Sequence, residues 1–217
     1  MPVLLQNTPS ICSFGAGSKR TKREMEGEDK CIDDQDLSRK WPQGFEFSWK
    51  FTESQGPLRN YGNGQTFNHA RIEEILQVVF LKWSRVTGFK FKKAEDDKSP
   101  TLQITILKNQ SKKYNLALRE YAQAWRDDTT GFVELNNMDG SKDWTDVVIH
   151  NTLLHELGHI LGLNHVCDTK AVMFFRLLNE VDYMELSPND IQHFRRVMAS
   201  SARETPVLKQ PPLKLSK

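Results

Sequence analysis

Between Thr145 and Gly162 the apolar residues Val147, Val148, Leu153, Leu154, Leu157 and Ile160 supply the buried surface of a helix, with Thr145 placed to cap it and Gly162 to end it. Set into that surface are His155, Glu156 and His159. Imidazoles four residues apart on a helix project from one face and can reach a single ion. Glu156, next to the first of them, projects sideways, where it can touch a water on that ion without ligating it. Gly162 comes three residues after His159 and His165 three after that, so a glycine-permitted turn can bring back a third imidazole. Three neutral imidazoles leave an ion such as zinc with positions for water and substrate, and make Glu156 the natural general base. Four of the six histidines, His150 included, lie within 16 residues, and three of them have ligand spacing, which sets the pattern apart from a chance HExxH. His150, five residues before His155, falls outside that spacing and reads as a bystander.

The rest of the chain supplies a setting. Phe45, Phe47, Trp49 and Phe51 alternate with polar residues, the period of a half-buried strand. Asn68 caps a long amphipathic helix carrying Ile72, Ile75, Leu76, Val79, Trp83 and Val86, and Gly88 stops it. Strands are expected at Phe89 to Phe91, Leu102 to Leu107, Tyr121 to Trp125 and Phe132 to Leu135, with Asp127, Asp128 and Gly131 turning the last pair. Ser187, Pro188 and Asp190 begin a final helix, whose Ile191, Phe194 and Val197 face the core. Residues 1–40 read as a flexible leader or short propeptide, 41–200 as one catalytic domain, and 201–217 as a disordered basic, proline-bearing tail.

Composition excludes more than it names. A chain of 217 residues with 38% hydrophobic positions buries one ordinary core, and a net charge of +2 gives no reason to expect nucleic acid as a partner. No apolar run approaches the roughly 20 residues of a membrane span, and no signal peptide is readable at the N-terminus. The three cysteines, Cys12, Cys31 and Cys167, leave two readings open: a Cys12–Cys31 bridge, or free thiols.

The stretch from His155 to His165 is similar to the zinc signature of the metzincin peptidases, and among them most resembles the matrixins, or matrix metalloproteinases. Ala171-Val172-Met173 resembles their methionine turn, Leu186 to Ile191 the start of their C-terminal helix, and Trp83 to Thr87 the end of their first helix. The likeness covers about residues 41 to 198. It implies an α+β fold: a twisted mixed sheet with an active-site helix, a backing helix and a C-terminal helix. It also implies a zinc-dependent endopeptidase acting on protein or peptide substrates, with one catalytic zinc on His155, His159 and His165. Glu156 would take a proton from the metal-activated water, Met173 would floor the site, and the location would be extracellular. An extended substrate would lie along an edge strand, for which Tyr121 to Trp125 is the candidate. Phe174 and Phe175 would wall an apolar specificity pocket.

Several departures accompany the likeness. No histidine lies between His69 and His150, so the family's second, structural zinc is expected to be missing. Asp127, Asp128, Asp139 and Asp143 could offer oxygens to calcium, but acidic residues in turns are usually only solvated, and the sequence does not support a calcium site. Cys31 lacks the flanking pattern of the family's inhibitory cysteine. Val166 stands where matrixins usually have Ser, whereas astacins have Glu and reprolysins Asp there. The competing class, a matrixin-like fold kept only for binding, is disfavoured because all five motif positions are intact.

Overall fold

The computed structural model of the protein describes residues 10–11, 41–52, 56–95, 98–107, 121–137, 143–174 and 182–201. Its strands are β1 (Ser10–Ile11), β2 (Glu46–Thr52), β3 (Leu58–Arg59), β4 (Thr66–Phe67), β5 (Lys90–Lys93), β6 (Leu102–Leu107), β7 (Ala122–Arg126) and β8 (Gly131–Asn136). Among the described residues three helices, α1 (His69–Thr87), α2 (Asp146–Ile160) and α3 (Pro188–Ser201), complete an α+β fold.

One mixed sheet runs in the order β1-β7-β8-β6-β2-β5. Strands β5, β2, β6 and β8 are mutually parallel where they pair, while β7 runs antiparallel to β8 and β1 antiparallel to β7. The alternation that marks β2 in sequence has its reason here: Phe47, Trp49 and Phe51 are buried, and the residues between them are more exposed. On β6 the same period buries Leu102, Ile104 and Ile106 completely. β5 forms the far edge and carries the exposed Lys90, Lys92 and Lys93, charges that discourage pairing with a further strand. It begins at Lys90 rather than at the expected Phe89, because Gly88 ends α1 in a left-handed turn (φ 74°) and leaves Phe89 in the core.

Helix α1 is capped as its sequence predicts, the Asn68 side chain accepting from the Arg71 amide at 2.9 Å. It buries Ile72, Ile75, Leu76, Val79, Phe80 and Trp83, and Phe80 stacks on Phe91 of β5 with centroids 4.4 Å apart. Three tryptophans pin distant segments together: Trp83 Nε1 donates to the Leu154 carbonyl (3.0 Å), Trp41 Nε1 to that of Ile160 (2.7 Å) and Trp144 Nε1 to that of Asn136 (3.2 Å). The Ile160 carbonyl is among the last of α2, which a helix cannot satisfy internally, so Trp41 supplies a partner from outside.

The small hairpin β3–β4 was not anticipated from the sequence. Its loop is organised by Asn60, whose side-chain oxygen accepts from the Gly62 and Asn63 amides at 2.9 and 3.0 Å and whose amide group donates to the Trp144 carbonyl.

Candidate metal centre

Helix α2 starts where Thr145 Oγ1 accepts from the Val148 amide (3.1 Å) and is buried without a break from Ile149 to Ile160. Its end is a Schellman turn: Leu163 N donates to Gly158 O (2.9 Å) and Gly162 N to His159 O (3.0 Å), with Gly162 at φ 98°. The turn reverses the chain and delivers His165 to the two helical histidines. The ligating-atom candidates of His155, His159 and His165 all lie within 4.8 Å of one another.

The ring orientations are fixed from behind. His155 Nδ1 donates to the Val172 carbonyl (2.6 Å) and His159 Nδ1 to that of Leu163 (2.8 Å). A carbonyl can only accept, so each Nδ1 holds the proton and each Nε2 presents a lone pair. Those two Nε2 atoms face each other at 3.1 Å. Lone pairs so placed repel, whereas a cation between them converts the contact into ligation. Zinc bonded to imidazole nitrogens at about 2.0–2.1 Å suits this spacing, and hydrogen bonds from the rear of each ring are the usual support of metal-bound histidine. Burial, reinforced by His165, pushes the His155 imidazole down to about 3. Burial, then the neighbouring His155 and His165, hold His159 well below its ordinary range. Both rings are thus neutral near pH 7, the form that binds metals. Glu156 lies in the same turn of α2, fully buried beside the cluster.

The chain that leaves His165 closes on itself. Val166 N donates to Met173 O at 2.9 Å, and Val166 and Phe174 form a bridge. Met173 is completely buried, and a Cβ added to Gly158 would collide with its sulfur and approach Trp83 to 3.3 Å. A matrixin family model matches residues 49–198. The chain belongs to the matrixin family.

Two curated relatives are matrix metalloproteinases by name. Metalloendoproteinase 5-MMP of Arabidopsis thaliana is 24% identical over 139 residues, 56% of this chain and 38% of that protein. Matrix metalloproteinase-21 of Homo sapiens is 25% identical over 134 residues, 58% of this chain and 23% of that protein. The chain therefore spans well under half the length of these relatives. Among the described residues no helix is long and apolar enough to cross a membrane.

Two residues that hold this matrixin site together escaped the sequence reading. Asp190 is buried, and beyond the expected cap of α3, where it exchanges bonds with Ser187, its carboxylate accepts from Val172 N (2.9 Å) and Met173 N (3.0 Å). Gly158 admits the Met173 sulfur against α2. A glycine inside a helix pattern was the signal for Gly158, whereas Asp190 showed in sequence only its place three residues after the cap Ser187.

The other candidates fall elsewhere. His150 bonds Asn151 (2.8 Å) and packs edge-on against Tyr183, outside the three-histidine cluster. Asp127 accepts from the Thr129 and Thr130 amides within the β7–β8 turn, and Asp143 bridges to Asn60. Asp139 and Phe175 lie outside the described residues, as do Cys12 and Cys31. Cys167 is disulfide-bonded.

Proposed function

We propose that residues 41–200 form the catalytic domain of an extracellular zinc endopeptidase in which His155, His159 and His165 hold the metal and Glu156 is the general base. The observation that carries this reading is the pair of rear-anchored imidazoles whose Nε2 lone pairs converge at 3.1 Å, within reach of a third histidine and beside a buried carboxylate. Zinc bound there supplies Lewis acidity toward a peptide carbonyl and a water molecule. Glu156 accepts the proton as water attacks the carbonyl carbon, then releases it to the departing nitrogen, so no acyl-enzyme forms. Met173 supports the imidazoles as an apolar floor, and Phe174 contributes to an apolar pocket for the residue at the cleavage point. The outer edge of β7, a strand packed on α2, pairs with the substrate backbone and aligns it. The Cys167 disulfide supports an oxidising, extracellular setting.

Zinc content and cleavage of a quenched peptide library test the reading together. One zinc per chain and chelator-sensitive cleavage are expected, with both lost in His159→Ala. Glu156→Gln is expected to keep its zinc while cleavage falls by about 10²–10⁴-fold. Full activity in Glu156→Gln would remove its assigned role, and zinc without any cleavage would remove the peptidase assignment.

A further inference from the structure

Residues 182–186 lead into α3 as a strap that side chains of α1 and α2 hold by its backbone. From α2, Asn151 Nδ2 donates to the Asp182 carbonyl (3.0 Å) and Oδ1 accepts from the Met184 amide (2.9 Å). From α1, Lys82 Nζ donates to the Met184 carbonyl (2.8 Å) and pairs with Glu185 at 2.8 Å. Beside Asn151 stands His150, whose Nδ1 lies 2.8 Å from the same Oδ1 and whose ring meets Tyr183 edge-on. The two backbone bonds fix which end of the Asn151 amide is oxygen. His150 Nδ1 therefore carries the proton and Nε2 a lone pair. That Nε2 is buried, with no hydrogen-bond partner among the described residues.

A neutral ring fits this place and a charged one does not. Protonation would put a second N–H on Nε2, buried without an acceptor, on a cation near the Lys82 ammonium. Burial is the largest influence and holds His150 below its ordinary value of 6.5; the Asn151 bond opposes this, Lys82 adds to it and Glu185 opposes it. Of the carboxylates around it, Glu185 is exposed and already paired with Lys82, and Asp146, one turn earlier on α2, is paired with Arg71.

We infer that His150 and Asn151 form an acid-released latch, which holds residues 182–186 against α1 and α2 while the imidazole is neutral and frees them when it is protonated. With the strap open, His150 regains water and its ordinary value, so release grows as pH falls below 6.5. The strap runs into Ser187 and Asp190, and the Asp190 carboxylate holds the Val172 and Met173 amides. The Val172 carbonyl anchors the His155 ring, so opening the latch slackens the support behind one imidazole of the cluster. The latch itself needs no peptidase activity.

The test follows the Met184 amide by hydrogen exchange in the full zinc-loaded chain at about pH 7.5 and about pH 5.5, corrected for the intrinsic pH dependence of exchange. Its protection should fall at least about tenfold on acidification in the parent and stay within about twofold in His150→Gln, while β6 amides keep theirs in both. Asn151→Ala, which removes the Met184 acceptor, should leave that amide poorly protected at both pH values. Parent protection that ignores pH, an equal fall in His150→Gln, or a Met184 amide still protected in Asn151→Ala overturns the latch. Loss of β6 protection alongside that of Met184 also overturns it, because the acid effect is then unfolding rather than release. None of these readouts requires cleavage of a peptide, so the latch and the endopeptidase reading fail separately.

Discussion

Helices α1 and α2 lie against each other and are built on opposite terms. Of its 19 residues α1 buries six and turns the rest toward water, where Val78 and Leu81 stand about half exposed and Arg71 pairs with Glu74 and Asp146. α2 buries every residue from Ile149 to Ile160, including His150, Asn151, His155, Glu156 and His159. On α1 a polar side chain costs little because water solvates it. On α2 each polar group must find a partner inside the protein, since an unsatisfied buried one costs about 1–3 kcal/mol. The rings of His155 and His159 meet that demand with two backbone carbonyls behind them. The candidate chemistry therefore sits where placing polar atoms is hardest, and the surrounding loops exist to make it tolerable.

The contrast can be broken most severely at Trp83, the α1 residue whose indole reaches the Leu154 carbonyl of α2. Trp83→Ala should lower stability by about 3–5 kcal/mol, read from the urea midpoint. Gly158→Ala tests the α2 side, because its new Cβ meets Met173 and Trp83. A loss of about 1–3 kcal/mol is expected, with weakened zinc retention measured by chelator competition. Unchanged stability there would mean that Met173 moves aside freely.

On α1, Glu73 offers a pH comparison. Its partial burial pushes the carboxyl up, but hydrogen bonds from Lys93 and His69 outweigh this and hold it below the ordinary carboxylate value. A depressed folded value means stability that is present above the unfolded pKa and lost as pH falls through the folded one. Acid urea titrations should therefore destabilise the parent protein more than Glu73→Gln. The smallest effect belongs to Arg71→Ala, which removes the exposed link to Asp146 at the start of α2. A cost below about 1 kcal/mol, shrinking further in high salt, is expected from thermal melts.

What could be read from the sequence was what is local. The caps at Asn68 and Thr145, the alternation in β6 and the reversal after Gly162 each depend on residues within a few positions, and each stands in the structure as expected. The three histidines were legible because helical spacing and one glycine turn suffice to bring them together. The hairpin β3–β4 was not, since two-residue strands carry no period. The reach of Asp190 to Val172 and Met173 spans 18 and 17 residues, and the space at Gly158 matters only once Met173 is known to fill it. Disulfide connectivity is likewise a property of folded geometry, which is why Cys167 was left without a partner at first.

The lysines of β5 give the sheet a direction. Its β5 margin repels any newcomer with Lys90, Lys92 and Lys93, while the β7 margin, whose Ala122, Gln123 and Ala124 carry no charge, has already taken on a strand. A sheet fenced on one border and open on the other is extended from one side only. In a crowded solution, accidental association between copies would be channelled to the border proposed for the substrate, so solubility and the proposed catalysis draw on the same line of backbone.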